Sequence, residues 1–196
     1  MAGYGVFAQV YDKLTLNVPY DQIAEYYDGK IRKFRDGDGN FLADAGCGTG
    51  NLTARLARLG YDVIGAEPSP DMLSEAMNKP HDGVQYICQD MTELDLYGEA
   101  DIIVSTLDSV NHLSSAADIT KFFRAAALNL RRGGLLLFDF NTIYKHEKVL
   151  GNNTYIYDLA DKVREYLETE VNLLYKEEKT QGFNSNDYLK LFRHIQ

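Results

Sequence analysis

The chain has 196 residues, 45% of them hydrophobic and 25% charged, which fits one globular domain with a substantial core. Its 29 acidic and 20 basic residues give a formal net charge of −9, which disfavours nucleic acid, because affinity for polyphosphate needs clustered Lys and Arg. The two cysteines form no Cys-x-x-Cys pair, which argues against structural zinc, and we predict no metal site.

Two helical patterns open the chain. The first is a stripe of apolar residues that share one helical face: Tyr4, Phe7, Ala8, Tyr11 and Leu14. The second is a similar stripe between Ile23 and Phe34. Since both precede the sheet, we expect residues 1–40 to form a helical cap over the sheet edge or its ligand site.

Residues 41–141 alternate short apolar runs with helical patterns, which is typical of a parallel sheet with crossover helices. The predicted strands are 41–45, 62–66, 84–88, 101–106 and 135–140. Helices are predicted over 51–59 and 121–130. A further helix is predicted to begin at Pro70, with Ser69 as its cap. The stretch 131–134, Arg-Arg-Gly-Gly, predicts a turn into the fifth strand. The predicted fold class is α/β, a doubly wound, mostly parallel sheet.

The pattern weakens over residues 142–196. One long amphipathic helix fits the apolar residues between Leu159 and Leu174, and residues 155–157 are a possible strand. How the sheet is completed after residue 141 is not predicted. We treat the 196 residues as one domain whose last segment, residues 142–196, either completes the sheet in a different way or is incomplete.

A glycine-rich loop follows the first predicted strand, with Asp44 before Gly46-Cys47-Gly48-Thr49-Gly50. Such a loop between a strand and a helix brings backbone N–H groups close to a ligand. The dinucleotide fingerprint needs its third glycine at position 51, which is Asn, and no Lys-Ser/Thr follows for a P-loop. The Asp44 carboxylate would repel a pyrophosphate and attract an ammonium or a sulfonium. The alternative is an ordinary tight turn.

The stretch from Phe41 to Thr53, Phe-Leu-Ala-Asp-Ala-Gly-Cys-Gly-Thr-Gly-Asn-Leu-Thr, resembles motif I of the class I S-adenosylmethionine-dependent methyltransferases. The opening stretch from Tyr4 to Leu14 resembles a bacterial small-molecule branch of that superfamily, which includes sugar-amine N-methyltransferases. The resemblance covers about residues 4–141. It implies the methyltransferase variant of the Rossmann-like fold, with S-adenosylmethionine as cofactor.

Glu67 ends the second predicted strand, where a carboxylate can accept both hydroxyl hydrogens of a ribose. A solvated surface Glu is the alternative. The resemblance further implies that Asp90 takes the adenine amino group and that Met91 lies against the ring, whereas Asp90 could simply cap a helix over 92–96. The remaining residues predicted to bind the cofactor are Asp44, Ala45, Gly46, Cys47, Gly48, Gly50, Pro68 and Met72, with Cys47 acting through its backbone.

The segment after the fourth predicted strand lies where ligands gather in open parallel sheets. By resemblance, the backbone at Thr106 or Leu107 would contact the methionine part. An imidazole suits proton removal from an acceptor near neutral pH, so His112 is one catalytic candidate. Similar sugar N-methyltransferases carry a base in a Gly-His-Leu stretch, which this chain matches only in part, with Asn111-His112-Leu113. Tyr11 is the other candidate, because the resemblance implies an aromatic residue here that closes over the cofactor or orients a substrate. Helix capping or packing explains His112 equally well, and core packing explains Tyr11.

The predicted function is methyl transfer from S-adenosylmethionine to a small-molecule nitrogen or oxygen nucleophile. The alternatives are a nicotinamide-dependent oxidoreductase and a non-catalytic module that binds the cofactor or its demethylated product. Neither a signal peptide nor an apolar run long enough to cross a bilayer is found, so we expect a cytoplasmic protein without a membrane partner. No feature of the sequence indicates the oligomeric state or identifies the acceptor.

Overall fold

The computed structural model describes residues 5–80 and 83–150. Five strands and five helices alternate over most of this length. The strands are β1 (Phe41–Ala45), β2 (Asp62–Ala66), β3 (Gln85–Ile87), β4 (Ala100–Ser105) and β5 (Leu130–Phe138). The helices are α1 (Gly5–Leu14), α2 (Tyr20–Phe34), α3 (Asn51–Arg58), α4 (Pro70–Met77) and α5 (Ala116–Asn129). Two 3₁₀ turns (Met91–Glu93 and Ser109–His112) and a π-helical segment (Lys145–Leu150) complete the described elements.

The five strands form one parallel sheet in the order β3-β2-β1-β4-β5. The chain winds outward from β1 to β3 and then crosses back to β4, so the direction of winding reverses between β1 and β4. In open parallel sheets this reversal leaves a crevice at the carboxyl ends of the two strands. The predicted fold class, a doubly wound parallel α/β sheet, is confirmed.

Both faces of the sheet are covered by helices. On one face α2 and α3 bury Ile31 and Leu56 against Leu42 and Ile102. On the other face, α5 buries Phe122 against the sheet. Buried parallel strands need apolar side chains on both faces, which explains the near-continuous apolar runs of β1 and β4. Within residues 5–80 and 83–150, no helix is both long and apolar enough to cross a membrane.

The predicted boundaries are confirmed for β1 and β2, and Ser69 caps α4, because its hydroxyl accepts the Met72 N–H at 3.3 Å. Around β5 the prediction was wrong. The stretch 131–134 does not form a turn before the strand, because β5 already pairs with β4 at Leu130 opposite Ala100. The register then shifts, so that Leu135 faces Ile102, and the four residues between are accommodated as an irregularity within the strand.

The amino-terminal helices occupy different places. Helix α2 packs on a face of the sheet, with Tyr27 and Ile31 in its core. Helix α1 instead lies beside the glycine loop, to which Asp12 is hydrogen-bonded. The predicted long helix over 159–174, the possible strand over 155–157 and the completion of the sheet lie outside the described residues.

Candidate cofactor site

The loops that follow β1, β2 and β4 meet at the carboxyl edge of the sheet. The Gly46 and Cys47 N–H groups after β1 both donate to the Ala66 carbonyl at the end of β2, at 2.8 and 3.1 Å. The Ser109 hydroxyl, after β4, lies 2.9 Å from the Gly46 carbonyl oxygen. The structure thus brings three of the segments predicted from the sequence into one site.

The glycine loop directs its amides inward. The Gly46 and Cys47 N–H groups donate to the Ala66 carbonyl oxygen, and the Gly48 N–H donates to Glu67 Oε2 at 3.1 Å. An anion-binding loop would need these donors free for the ligand. In this structure they are occupied, and carboxylates lie beside them, so the loop suits a cation better than a pyrophosphate.

Space is distributed unevenly along the loop. A methyl group on Gly46 would lie 2.8 Å from Ser109 Cβ and 2.9 Å from Met91 Cε, so this glycine sits beneath neighbouring side chains. A methyl group on Gly48 would meet no atom within 4 Å. The open side of the loop is therefore at Gly48, and this is where a ligand can approach the backbone.

Glu67 is held at the end of β2 by two backbone donors. Its Oε1 accepts the Ser69 N–H at 3.0 Å, and its Oε2 accepts the Gly48 N–H. Burial raises the pKa of this carboxyl group, and the charge of Asp90 acts in the same direction. The two N–H donors and the charge of His112 act in the opposite direction. Each carboxylate oxygen has a second lone pair, so the side chain retains acceptor capacity for a diol. The ribose role stays a prediction that this geometry supports.

Asp44 is buried at the end of β1, with 2% of its surface exposed. Its Oδ2 accepts the Thr53 hydroxyl of α3 at 2.6 Å. Burial raises the pKa of the Asp44 carboxyl from 3.8 to about 6, with the Thr53 hydrogen bond opposing the shift and the Glu67 charge adding to it. A cation nearby would stabilise the ionised form.

Ionisation of Asp44 should cost the free protein stability. Because its folded pKa lies above the unfolded value, the folded state holds the proton more tightly, and stability falls as pH rises from 3.8 to about 6. We therefore expect Asp44→Asn to lower the unfolding free energy at pH 4 relative to that at pH 8 by on the order of 2 kcal/mol. Urea denaturation at both pH values measures it, and an unchanged difference would contradict the assignment.

Asp90 makes the contact of a helix cap. Its Oδ1 accepts both the Thr92 N–H at 2.8 Å and the Thr92 hydroxyl at 2.7 Å, at the start of the 3₁₀ turn Met91–Glu93. This is the alternative that the sequence left open, with a single 3₁₀ turn in place of the helix over 92–96. Met91 is buried beside Gly46. The adenine roles of Asp90 and Met91 stay predictions.

The other predicted cofactor-binding residues surround the same edge. Ala45 is buried at the end of β1, and its carbonyl oxygen accepts the Ser105 hydroxyl at 2.9 Å. Gly50 caps α3. Pro68 is exposed, whereas Met72 on α4 is buried. After β4, Thr106 is buried and Leu107 is exposed.

The Cys47 thiol is unsuited to nucleophilic chemistry. Burial raises its pKa well above the usual range, and the charges of Asp44 and Glu67 act in the same direction. The thiolate is the reactive form of cysteine, so this environment keeps Cys47 inert. Within residues 5–80 and 83–150, no cluster of three or more His, Cys, Asp or Glu side chains could hold a metal ion.

The two catalytic candidates differ in their surroundings. Burial raises the pKa of Tyr11 to about 12, and the charges of Tyr20, Asp108, Asp12 and Glu67 act in the same direction. Tyr11 is therefore a neutral hydrogen-bond donor near pH 7, and its ring also packs edge-on against Phe7 at 5.6 Å. His112 is exposed at the end of the turn Ser109–His112, and its charge acts on Glu67. Both catalytic roles stay predictions.

Asp12 is a site residue that the sequence did not reveal. Its Oδ1 accepts the Thr49 hydroxyl at 2.6 Å and the Asn51 amide at 2.8 Å, and its Oδ2 pairs with Lys79 Nζ at 2.6 Å. It therefore fastens α1 to the glycine loop and to the segment that follows α4. Its position next to Tyr11 was the only available signal, because its partners lie 37 or more residues away.

Comparisons with known proteins match most of the described chain to methyltransferases. Residues 42–134 match the family model described as a methyltransferase domain. YqeM of Bacillus subtilis (strain 168), named as a methyltransferase, is 34% identical over 155 residues, which cover 78% of this chain and 61% of that protein. A protein of Geobacillus sp. (strain WCH70), also named as a methyltransferase, is 33% identical over 149 residues, covering 74% and 60%.

Solved structures show the same relationship. A S-adenosylmethionine-dependent methyltransferase from Clostridium acetobutylicum ATCC 824 superposes with a TM-score of 0.64 at 34% identity, over 80% of this chain and 65% of that one. CalS10 from Micromonospora echinaspora, an amino pentose methyltransferase solved with S-adenosylmethionine bound, gives 0.62 at 28% identity, over 68% and 56%. This chain spans about three fifths of the length of the curated relatives. Residues 42–134 are therefore a methyltransferase domain, and the chain is similar in sequence and fold to S-adenosylmethionine-dependent methyltransferases.

Proposed function

We propose that this protein binds S-adenosylmethionine at the carboxyl edge of its sheet and transfers the methyl group to a small-molecule nitrogen or oxygen nucleophile. The observation that carries the proposal is the combination of a glycine loop whose amides are occupied internally with the carboxylates of Asp44 and Glu67 beside it. This combination favours a ligand with an ammonium, a sulfonium and a ribose diol. It disfavours the pyrophosphate of a nicotinamide cofactor.

The residues present fit the cofactor at each end. Glu67 would accept the ribose hydroxyls, and Asp90 and Met91 would contact the adenine. The open space at Gly48 would let the cofactor approach the backbone of the loop. The backbone at Thr106 and Leu107 would face the amino-acid part. When bound, the cofactor supplies a methyl group on a positively charged sulfur, which is a good leaving group.

The protein's part in the reaction is positioning and proton removal. Tyr11 keeps its proton near neutral pH, so it would orient the acceptor as a donor and not act as a base. The exposed His112 imidazole would take the proton of an ammonium or hydroxyl acceptor.

The acceptor is proposed to be a small molecule because of the relatives. Their names include the sugar N-methyltransferase KedS8 from Streptoalloteichus sp ATCC 53650. They also include a ubiquinone biosynthesis O-methyltransferase of Nitrobacter winogradskyi, which is 31% identical over 63% of this chain and 47% of that protein. Both nitrogen and oxygen acceptors are thus represented among proteins similar to this chain. The acidic net charge also disfavours a nucleic-acid acceptor.

The test measures S-adenosylhomocysteine formed from S-adenosylmethionine with a panel of small amines, amino sugars and phenols. We expect at least one class to raise product formation above the cofactor-only rate, and His112→Ala to lower the turnover number more than it changes cofactor affinity. Cofactor binding without product across the panel would contradict catalysis and favour the non-catalytic module. An unchanged turnover number in His112→Ala would remove the proposed base.

A further inference from the structure

The loop after β4 has an unusual backbone. Leu107 and Asp108 have φ angles of 55° and 71°, in the left-handed region that residues with a Cβ atom rarely adopt. Two such residues in succession persist only where the surroundings hold them. The same loop carries the backbone proposed to face the amino-acid part of the cofactor.

Asp139, which follows β5, accepts the backbone N–H groups of both left-handed residues. Its Oδ2 accepts the Leu107 N–H at 2.8 Å, and its Oδ1 accepts the Asp108 N–H at 3.1 Å. Asp139 is itself fixed by the sheet, because its own N–H donates to the Ser105 carbonyl at 3.2 Å. One carboxylate therefore binds both strained residues from the neighbouring strand.

Tyr27 fixes the carboxylate from the other side. This residue of α2 is buried, and its hydroxyl donates to Asp139 Oδ2 at 3.1 Å. Burial and the charge of Asp139 raise the pKa of Tyr27, so the phenol stays protonated and remains a donor. A hydrogen-bonded chain thus runs from α2 through Asp139 to the loop.

We propose that Asp139 is a positioning residue that, with Tyr27, holds the left-handed turn at Leu107 and Asp108 in the shape that receives the amino-acid end of the cofactor. The inference rests on the proposed function. It assigns no contact with the reacting atoms to Asp139. Its specific consequence is that loss of the carboxylate weakens recognition at one end of the cofactor and spares the adenosine end.

The experiment uses calorimetry with two probes. S-adenosylhomocysteine carries the amino-acid end, and 5′-methylthioadenosine lacks it while keeping adenine and ribose. We expect Asp139→Ala to weaken S-adenosylhomocysteine binding about tenfold or more, because two charge-assisted hydrogen bonds to the loop are lost. Binding of 5′-methylthioadenosine should stay close to that of the unmodified chain, and Tyr27→Phe should give a smaller loss with the same selectivity.

A rescue variant separates positioning from general stability. In Asp139→Ala, adding Leu107→Gly removes the Cβ penalty at one left-handed position, so part of the S-adenosylhomocysteine affinity should return. The matched control is Asp62→Ala, which removes the same side chain from an exposed position at the amino end of β2 and should leave both affinities unchanged.

Equal losses for both probes, or no recovery with Leu107→Gly, would show a merely structural role and overturn the inference. Unchanged affinities in Asp139→Ala and in Tyr27→Phe would do the same. If Asp139→Ala does not fold, Tyr27→Phe carries the test, since it removes only a hydroxyl group. If the unmodified chain binds neither probe, the proposed function itself fails, which is a separable result.

Discussion

Replacing Glu67 with glutamine is expected to weaken S-adenosylhomocysteine binding about 100-fold, or roughly 3 kcal/mol. The carboxylate accepts the Gly48 and Ser69 N–H groups with separate oxygens and has lone pairs left for a diol. A glutamine side chain offers one oxygen, and its NH₂ group would face one of these backbone donors. It therefore loses an acceptor toward the loop and an acceptor toward the ribose. Calorimetric titration of both proteins measures the change.

The ribose assignment is tested by removing the hydroxyls from the ligand as well. An analogue of S-adenosylhomocysteine without its two ribose hydroxyls should bind the unmodified chain poorly, and Glu67→Gln should weaken its binding much less than it weakens the binding of S-adenosylhomocysteine itself. Glu93→Gln is the matched control, because Glu93 is exposed in the turn that follows Asp90. Equal effects of Glu67→Gln on the full ligand and on the analogue would show that Glu67 shapes the loop without contacting the ribose.

Replacing Gly46 with alanine is expected to lower the unfolding free energy by about 2–5 kcal/mol. Its φ angle of 85° disfavours any residue with a Cβ atom. The added methyl would also lie 2.8 Å from Ser109 Cβ, so the loops after β1 and β4 would have to separate. Urea denaturation measures the loss, and cofactor binding should fall with it because both loops line the site.

Gly60→Ala is the control that separates the cost of a positive φ angle from the cost of the steric contact with Ser109. Gly60 has a φ angle of 99°, but a methyl group there would meet no atom within 4 Å. Gly60→Ala should therefore lower the unfolding free energy only by the cost of the positive φ angle, about 1 kcal/mol. If Gly46→Ala were no more destabilising than Gly60→Ala, the close packing of the two loops would be contradicted.

Local patterns made the sheet and its cofactor edge predictable. Strands β1 and β2 were predicted at their observed boundaries, because each is a short apolar run that ends at a polar or glycine-rich turn. The start of α4 followed from Ser69 and Pro70, a cap and a first residue with known preferences. The glycine loop and Glu67 come to one edge because parallel strands end there together.

Features that depend on distant pairing could not be predicted. The stretch 131–134 has turn composition, yet it lies within β5, because pairing of Leu130 with Ala100 outweighs local preference. Asp12 and Asp139 are ordinary acidic residues in the sequence. Their roles arise from partners far along the chain, Thr49 and Lys79 for Asp12, and Leu107 for Asp139.

The acidic surroundings of the glycine loop predict that the chain binds a cationic cofactor and not a pyrophosphate. Calorimetric titration of this chain with S-adenosylmethionine, S-adenosylhomocysteine and NADH compares a cationic cofactor, its product and a pyrophosphate ligand at the same site. We expect saturable heat with the first two ligands, loss of that heat in Glu67→Gln at the same concentrations, and no heat with NADH. Saturable heat with NADH alone, or with none of the three ligands, would contradict this prediction.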